Sequence, residues 1–402
     1  MSVAAAIQDR SWLRRLGETK TIAWYGIGLG LLAFWLALPP WDVRFEGGPI
    51  ALGICGLAAG LWAVTRDEKR LGWWAIAVAI GGTAAALWAQ TKDTDSLDAV
   101  VNAGLFAATL RFATPLAFAA MGGIFSERSG VINIGLEGMM LSGAFFGIWA
   151  AAWSGSWVVG ILMAMVFGGM LALIHAFFSI HLRADQIVSG TAINFLALGV
   201  TGYLFRYIYG TEGTPSDVSR VPTVTVPGLE KIPFIGDVIG SMSLMIWLML
   251  ALLVLSWAVL FKTPIGLRIR SVGEHPKAAD TVGISVYGVR YACVVVSGML
   301  AALGGAYLSI GFVGSFNENM TVGRGFIALA AVIFGKWRPF PAFAACLLFG
   351  FSSGLAQRLQ NEAGISSNLL QTLPYVLTII ALIGVVGRSR GPAAVGRPYV
   401  KQ

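Results

Sequence analysis

Leu71–Gln90 and Leu244–Phe261 carry no charged residue and are mostly apolar. Each approaches the roughly 20 residues a helix needs to cross a hydrocarbon core. Several further stretches read the same way. Only 12% of the 402 residues are Asp, Glu, Lys or Arg, where a soluble domain carries about a quarter, so a water-facing surface cannot be assembled. The short alternating segments of a barrel strand are absent, so helices must satisfy the backbone hydrogen bonds. The expected fold is an all-α integral membrane protein, a polytopic bundle of about 10 to 12 transmembrane helices.

Spans are predicted over 22–38, 49–64, 71–90, 99–125, 131–152, 157–178, 187–206, 242–261, 290–312, 324–335, 340–360 and 367–387. Arg324–Gly335 covers only about 18 Å as a helix, which suggests a re-entrant or broken element. The net charge of +8 is scattered among short loops, so it argues for orientation and against nucleic acid. With the Arg-rich amino terminus inside, only Arg44, Lys92, Arg111, Arg206, Arg220, Lys231, Arg324 and Arg358 of the 28 basic residues fall outside or within spans. That asymmetry predicts both termini in the cytoplasm.

Residues 1–96 form three hydrophobic segments with no apparent site. Polar groups enter the apolar segments from about Leu97, which divides the chain into an appended 1–96 unit, a working core over 97–387 and a cytoplasmic tail over 388–402. The external loop from about Tyr207 to Gly240 holds four prolines, which favour turns and extended chain. It reads as a docking surface for an outside partner or as a connector.

The inside loop, 262–289, is the most informative stretch. Gly273 can end one helix and Pro276 can open another, so Pro276–Thr281 is expected as a short helix between two spans. Lys277 and Asp280 flank two alanines there, a compact face suited to a cleft on another protein. An ordinary positive-inside loop is the alternative.

Within Val131–Ala152 the strongly polar side chains are Asn133 and Glu137, and an intramembrane carboxylate is expected to face a partner or water. Glu137 lies near the cytoplasmic end of that span, so an interfacial carboxylate is equally open. Gln186, Gly190 and Asn194 recur at helical spacing with Ser189 beside them, a face that could line a path or serve close helix packing. Asp185 is expected to cap that helix. Asn317 and Glu318 precede the short Arg324 element, where transporters often place a pathway. Glu127 and Arg128 read as a solvated turn.

Gly266-Leu-Arg-Ile-Arg-Ser-Val-Gly-Glu-His-Pro-Lys-Ala-Ala-Asp-Thr-Val-Gly-Ile resembles the cytoplasmic coupling loop of bacterial ABC permeases of the branched-chain amino acid and simple-sugar class. His275 stands where that family more often has Asn. The resemblance implies the ABC importer permease fold and assigns coupling to an ATPase to Gly273, Glu274, Pro276, Lys277, Ala278, Ala279 and Asp280. Three further stretches resemble the nucleoside-uptake branch: Leu110–Leu116 continuing through Phe125–Met140, Arg183–Asn194, and Gly323–Trp337. It implies a cytoplasmic ATP-binding subunit, a second permease subunit and an extracytoplasmic binding protein or lipoprotein, all at a bacterial inner membrane.

No Gly-x-x-x-x-Gly-Lys-Ser/Thr loop occurs, so ATP is expected to be used by the partner and not by this chain. His175, His181 and His275 are dispersed and no Cys-x-x-Cys pair occurs, so neither metal nor cofactor is expected. The expected function is a permease subunit for nucleosides. A sugar or branched-chain amino acid permease, an ion-coupled secondary transporter using Glu137, and a purely structural membrane subunit are the alternatives.

Overall fold

The computed structural model describes residues 19–37, 47–66, 68–91, 102–228, 234–362, 372 and 390–401. It divides into two compact units, Met1–Gly104 and Leu105–Gln402.

The first unit contains α1 (Thr19–Ala37), α2 (Gly47–Thr65) and α3 (Lys69–Thr91). Small residues four apart, Gly26 and Gly30, Gly56 and Gly60, Ala75 and Ala79, let the three backbones touch. A Cβ on Gly30 would lie 2.8 Å from the Ala79 nitrogen. Such stripes are the usual means of packing helices where lipid removes the hydrophobic drive. Trp24, Trp73 and Trp74 point outward.

The second unit contains α4 (Ala103–Arg128), α5 (Leu136–Ser154), α6 (Trp157–Ala176), α7 (Gln186–Tyr209), β1 (Thr223–Thr225), α8 (Ile235–Ile239), β2 (Ser241–Ser243), α9 (Leu244–Lys262), α10 (Pro264–Glu274), α11 (Pro276–Thr281), α12 (Val286–Ala306), α13 (Arg324–Phe334) and α14 (Pro339–Glu362). Helices α6 and α12 each continue into a π-turn, Phe177–His181 and Tyr307–Val313. Among the described residues, seven helices are long and apolar enough to cross a membrane. The expected 367–387 span lies outside the described residues.

Helix α12 is the centre of the bundle. Its Gly298 meets Gly168 of α6, and the Gly143 position of α5 abuts the Ala302 backbone. Either site would refuse a larger side chain.

One expectation needs correction. The 131–152 span is helical only from Leu136, because residues 131–133 run without helix and Ile134–Gly135 turn. The 207–240 loop, expected as turns and extended chain, contains β1, which pairs antiparallel with β2, Val224 opposite Met242. The carbonyl of Pro222 accepts from Leu244 at 3.0 Å and so continues the ladder. The proline lies outside β1, where its missing N–H costs nothing.

Candidate functional site

Thr263 caps α10, its hydroxyl accepting from Gly266 N at 3.2 Å, with Pro264 in the first turn. Ile269 and Val272 bury one face of α10, and the helix runs through Gly273 to Glu274. Gly273 is therefore not a helix terminator. It is required because a Cβ there would collide with the Arg128 carbonyl.

His275 separates α10 from α11. Ala279 is 3% exposed and packs with Val272, Val286 and Tyr399. Lys277, Ala278, Glu274 and His275 are exposed, while Pro276 and Asp280 are half-buried. Thus Ala279 faces the bundle and Ala278 faces away.

The tail, absent from the expected site, lies against this segment. Ala394 N donates to the Gly273 carbonyl at 2.9 Å and Ala393 N to Glu274 Oε2 at 3.1 Å. Buried Arg290 donates from Nη1 to the Arg397 carbonyl at 3.1 Å, and the Tyr287 hydroxyl to the Tyr399 carbonyl at 3.3 Å. Partial burial and the Asp280 carboxylate hold the Tyr399 phenol above its ordinary range. Between α11 and the tail lies a cleft of about 620 Å³ lined by Lys277, Ala278 and Arg397 among others. Little in the tail's sequence beyond Tyr399 marks it as a packing element.

A second constellation surrounds the chain break before α5. Gln186 Oε1 accepts from Ile132 N at 2.7 Å, and His175 Nε2 lies 3.0 Å from the Ile132 carbonyl. Ser189 Oγ holds the other face of that imidazole, 3.0 Å from Nδ1. Asn194 accepts from Gly138 N at 2.7 Å and donates to the Ile134 carbonyl at 3.0 Å. Chain outside a helix leaves its N–H and C=O groups unpaired, and these side chains of α6 and α7 replace the missing bonds. Gly190 permits the approach, since its Cβ would lie 2.9 Å from Gly135 N. Asp185 caps α7, accepting from Ile187 N and Val188 N at 2.8 and 3.1 Å. Asn133 donates to Ser297 Oγ at 2.9 Å.

Replacing Asn194 with Ala should remove both bonds and leave two backbone groups without partners, a loss of about 2 kcal/mol or more. The expected readout is a lowered melting temperature of the purified protein in detergent. An unchanged melt would show that the break does not depend on this clamp.

Glu137 crosses to α13. Its carboxylate accepts from Gly323 N at 2.8 Å and Gly325 N at 2.6 Å and is 8% exposed. It caps α13 from another helix, at the positive end of the dipole. At the opposite end of α13, Trp337 Nε1 donates to buried Glu127, and Arg128 Nε donates to the Trp337 carbonyl at 3.0 Å. Glu127 and Arg128 are therefore not a solvated turn: they lock Lys336 and Trp337, both of positive φ. Eleven helical residues separate the two ends, so Glu137 lies about 16 Å along α13 from the α4 terminus.

Asn317 and Glu318 lie elsewhere. Both are exposed and line a cleft with Arg111 and Arg324. Glu318 accepts a fork from Arg206, Nε–Oε1 2.7 Å and Nη2–Oε2 2.8 Å. That guanidinium holds the Glu318 carboxyl below its usual range. Arg111 and Arg324 were not singled out from sequence, although a basic residue inside a predicted span is itself a signal.

The family model described as branched-chain amino acid transport system / permease component matches residues 105–386. The chain is 46% identical over 309 residues to the guanosine ABC transporter permease protein NupQ of Bacillus subtilis, covering 73% of this chain and 95% of that protein. It is 42% identical over 302 residues to the nucleoside ABC transporter permease protein NupC of Lactococcus lactis subsp. cremoris, with the same coverage. It is 34% identical over 328 residues to the putative glucose ABC transporter permease protein TsgC13 of Haloferax volcanii, covering 75% and 98%. No solved structure matches the chain.

Proposed function

The chain belongs to the family of branched-chain amino acid transport system permease components and is the membrane permease subunit of an ABC transporter, and from that premise we propose that its cargo is a nucleoside. It is a multi-pass membrane protein, a transport subunit without an ATPase domain of its own. The observation that carries the cargo is the 46% and 42% identity to permeases named for guanosine and nucleosides, against 34% for one named as a putative glucose permease.

An ABC permease implies an ATPase and a binding protein as partners. In this reading the ATPase sits on the cytoplasmic side against Glu274, Lys277 and Ala278, a second permease subunit completes the path, and an extracytoplasmic lipoprotein delivers the cargo. Both termini are cytoplasmic and the membrane is a bacterial inner membrane.

Pro276–Thr281 takes the push of ATPase closure. Ala279 and the tail hold α11 to the bundle, and Gly273 lies against the Arg128 carbonyl. Arg128 and Glu127 grip the end of α13. A push on α11 thereby reaches a rigid half-helix whose far end is tied by Glu137. Asn133, Gln186, Ser189 and Asn194 frame the path by fixing the broken chain, while Asn317 and Glu318 stand at its outer mouth. Transport requires that the ATPase and the loaded binding protein bias two arrangements of this connection differently.

The test is the importer assembled from this chain, its ATPase, the second permease and the binding protein in proteoliposomes. ATP-dependent uptake of radiolabelled guanosine is expected. Uptake of glucose or leucine with no nucleoside uptake would remove the cargo assignment.

A further inference from the structure

The cleft beside α13 has a volume of about 320 Å³ and is lined by Arg111, Phe112, Phe312, Asn317, Asn319 and Arg324 among others. Arg111 is eight residues into α4, about 12 Å from its first residue. It is exposed to the cleft, and its guanidinium has no acceptor among the described residues. A charged side chain within a spanning helix is expensive unless it meets water or a partner. The fork of donors on Arg111 is therefore free for something that enters the cleft.

The other walls differ in chemistry. Phe112 and Phe312 meet edge to face, centroids 5.9 Å apart, and Phe312 stacks on Tyr307 at 6.0 Å. The two rings stand nearly perpendicular, so the exposed Phe312 ring offers an apolar surface to the cleft and Phe112 backs it. Glu318, the carboxylate on the cleft, is already held by Arg206. At the floor, Asn319 and β-branched Val322 adopt positive φ, 56° and 44°, a conformation disfavoured for such residues. Arg324 fastens that turn by donating from Nη1 to the carbonyls of Met320 at 2.8 Å and Thr321 at 3.1 Å. Arg324 is thus committed to the backbone, and Arg111 is not.

We propose that this cleft is a transit site for 6-oxopurine nucleosides, with the Arg111 fork on the O6 and N7 edge of the base and the exposed Phe312 ring against its face. Guanidinium and a planar aromatic surface together suit a base that presents two adjacent acceptors. Adenine presents a donor at N6 in place of O6, so one arm of the fork meets another donor. Pyrimidines lack the N7 edge. The proposal rests on the nucleoside reading above and narrows it to a class of base.

The experiment compares guanosine and adenosine uptake by the complete importer in proteoliposomes, each at saturating loaded binding protein, for wild type, Arg111→Gln and Arg111→Lys. The ratio of guanosine to adenosine rates is expected to fall about tenfold or more in both variants, since a bidentate base contact discriminates by that much. Lysine keeps the charge and its hydration and loses the fork. A ratio equal to wild type in Arg111→Lys would overturn the proposal and leave Arg111 as a charge that hydrates the cleft. Equal loss of both purines in Arg111→Gln would also overturn it. A wild-type importer that moves no nucleoside at all would sink the cargo reading first, before any variant is made.

Discussion

Replacing Ala278 with Trp is expected to abolish ATP-driven uptake by the assembled importer while the chain still inserts and melts normally. Ala278 is exposed on α11 and opens onto the cleft beside the tail. An indole there has room in the free permease and collides only with a seated ATPase. Bulk at the centre of a docking surface should weaken that contact by about 2 kcal/mol or more, roughly 30-fold in affinity. Co-purification of the ATPase measures it directly.

Ala279→Trp should behave differently. Ala279 is 3% exposed among Val272, Val286 and Tyr399, so the same indole overpacks the bundle and lowers the permease's own melting temperature. Coupled transport unchanged by Ala278→Trp would show that the ATPase seats elsewhere.

Glu137→Ala is expected to destabilise the permease by roughly 3–6 kcal/mol, counting two hydrogen bonds to a charged acceptor. The carboxylate satisfies Gly323 N and Gly325 N at the start of α13. No water-filled surface replaces it there, because Glu137 is 8% exposed. Glu137→Gln keeps one good acceptor oxygen and should fall between the two, which separates capping from charge. Thermal denaturation in detergent gives the order: wild type, Gln, Ala. If Ala were as stable as wild type and only transport failed, Glu137 would be a transport group and not a cap.

The short helix α11 was readable because its features are local. A proline opening a helix, a residue between helices and a short alanine face are decided within a few neighbours, and α11 spans Pro276–Thr281 as expected. Asp185 was readable for the same reason, since an N-cap bonds two and three residues on. Glu127 and Arg128 were misread because a charged pair near a helix end resembles a solvated turn until Trp337, over 200 residues away, is seen to cover it. The tail was missed because its bonds to Gly273 and Glu274 come mainly from backbone N–H groups, which every residue has.

The polar face of Gln186, Gly190 and Asn194 was recognised, but its use was not. Periodicity shows that the three share a side of a helix and cannot show what lies opposite. The structure places there the non-helical stretch Ile132–Gly135 and the first turn of α5, whose otherwise unpaired donors and acceptors find partners in these amides.

By itself the sequence determined the membrane class, the helical backbone, most helix positions and the segment resembling a coupling loop. Those follow from hydrophobicity, charge scarcity and short-range capping, which act on consecutive residues. Tertiary structure alone decided that three separate stretches meet around the break before α5 and at both ends of α13. It also decided that Ala279 faces inward while Ala278 faces out, and that Arg111 meets no acceptor among the described residues. Those outcomes depend on which buried polar group finds which partner across the bundle, and nothing along the chain records the distance between them.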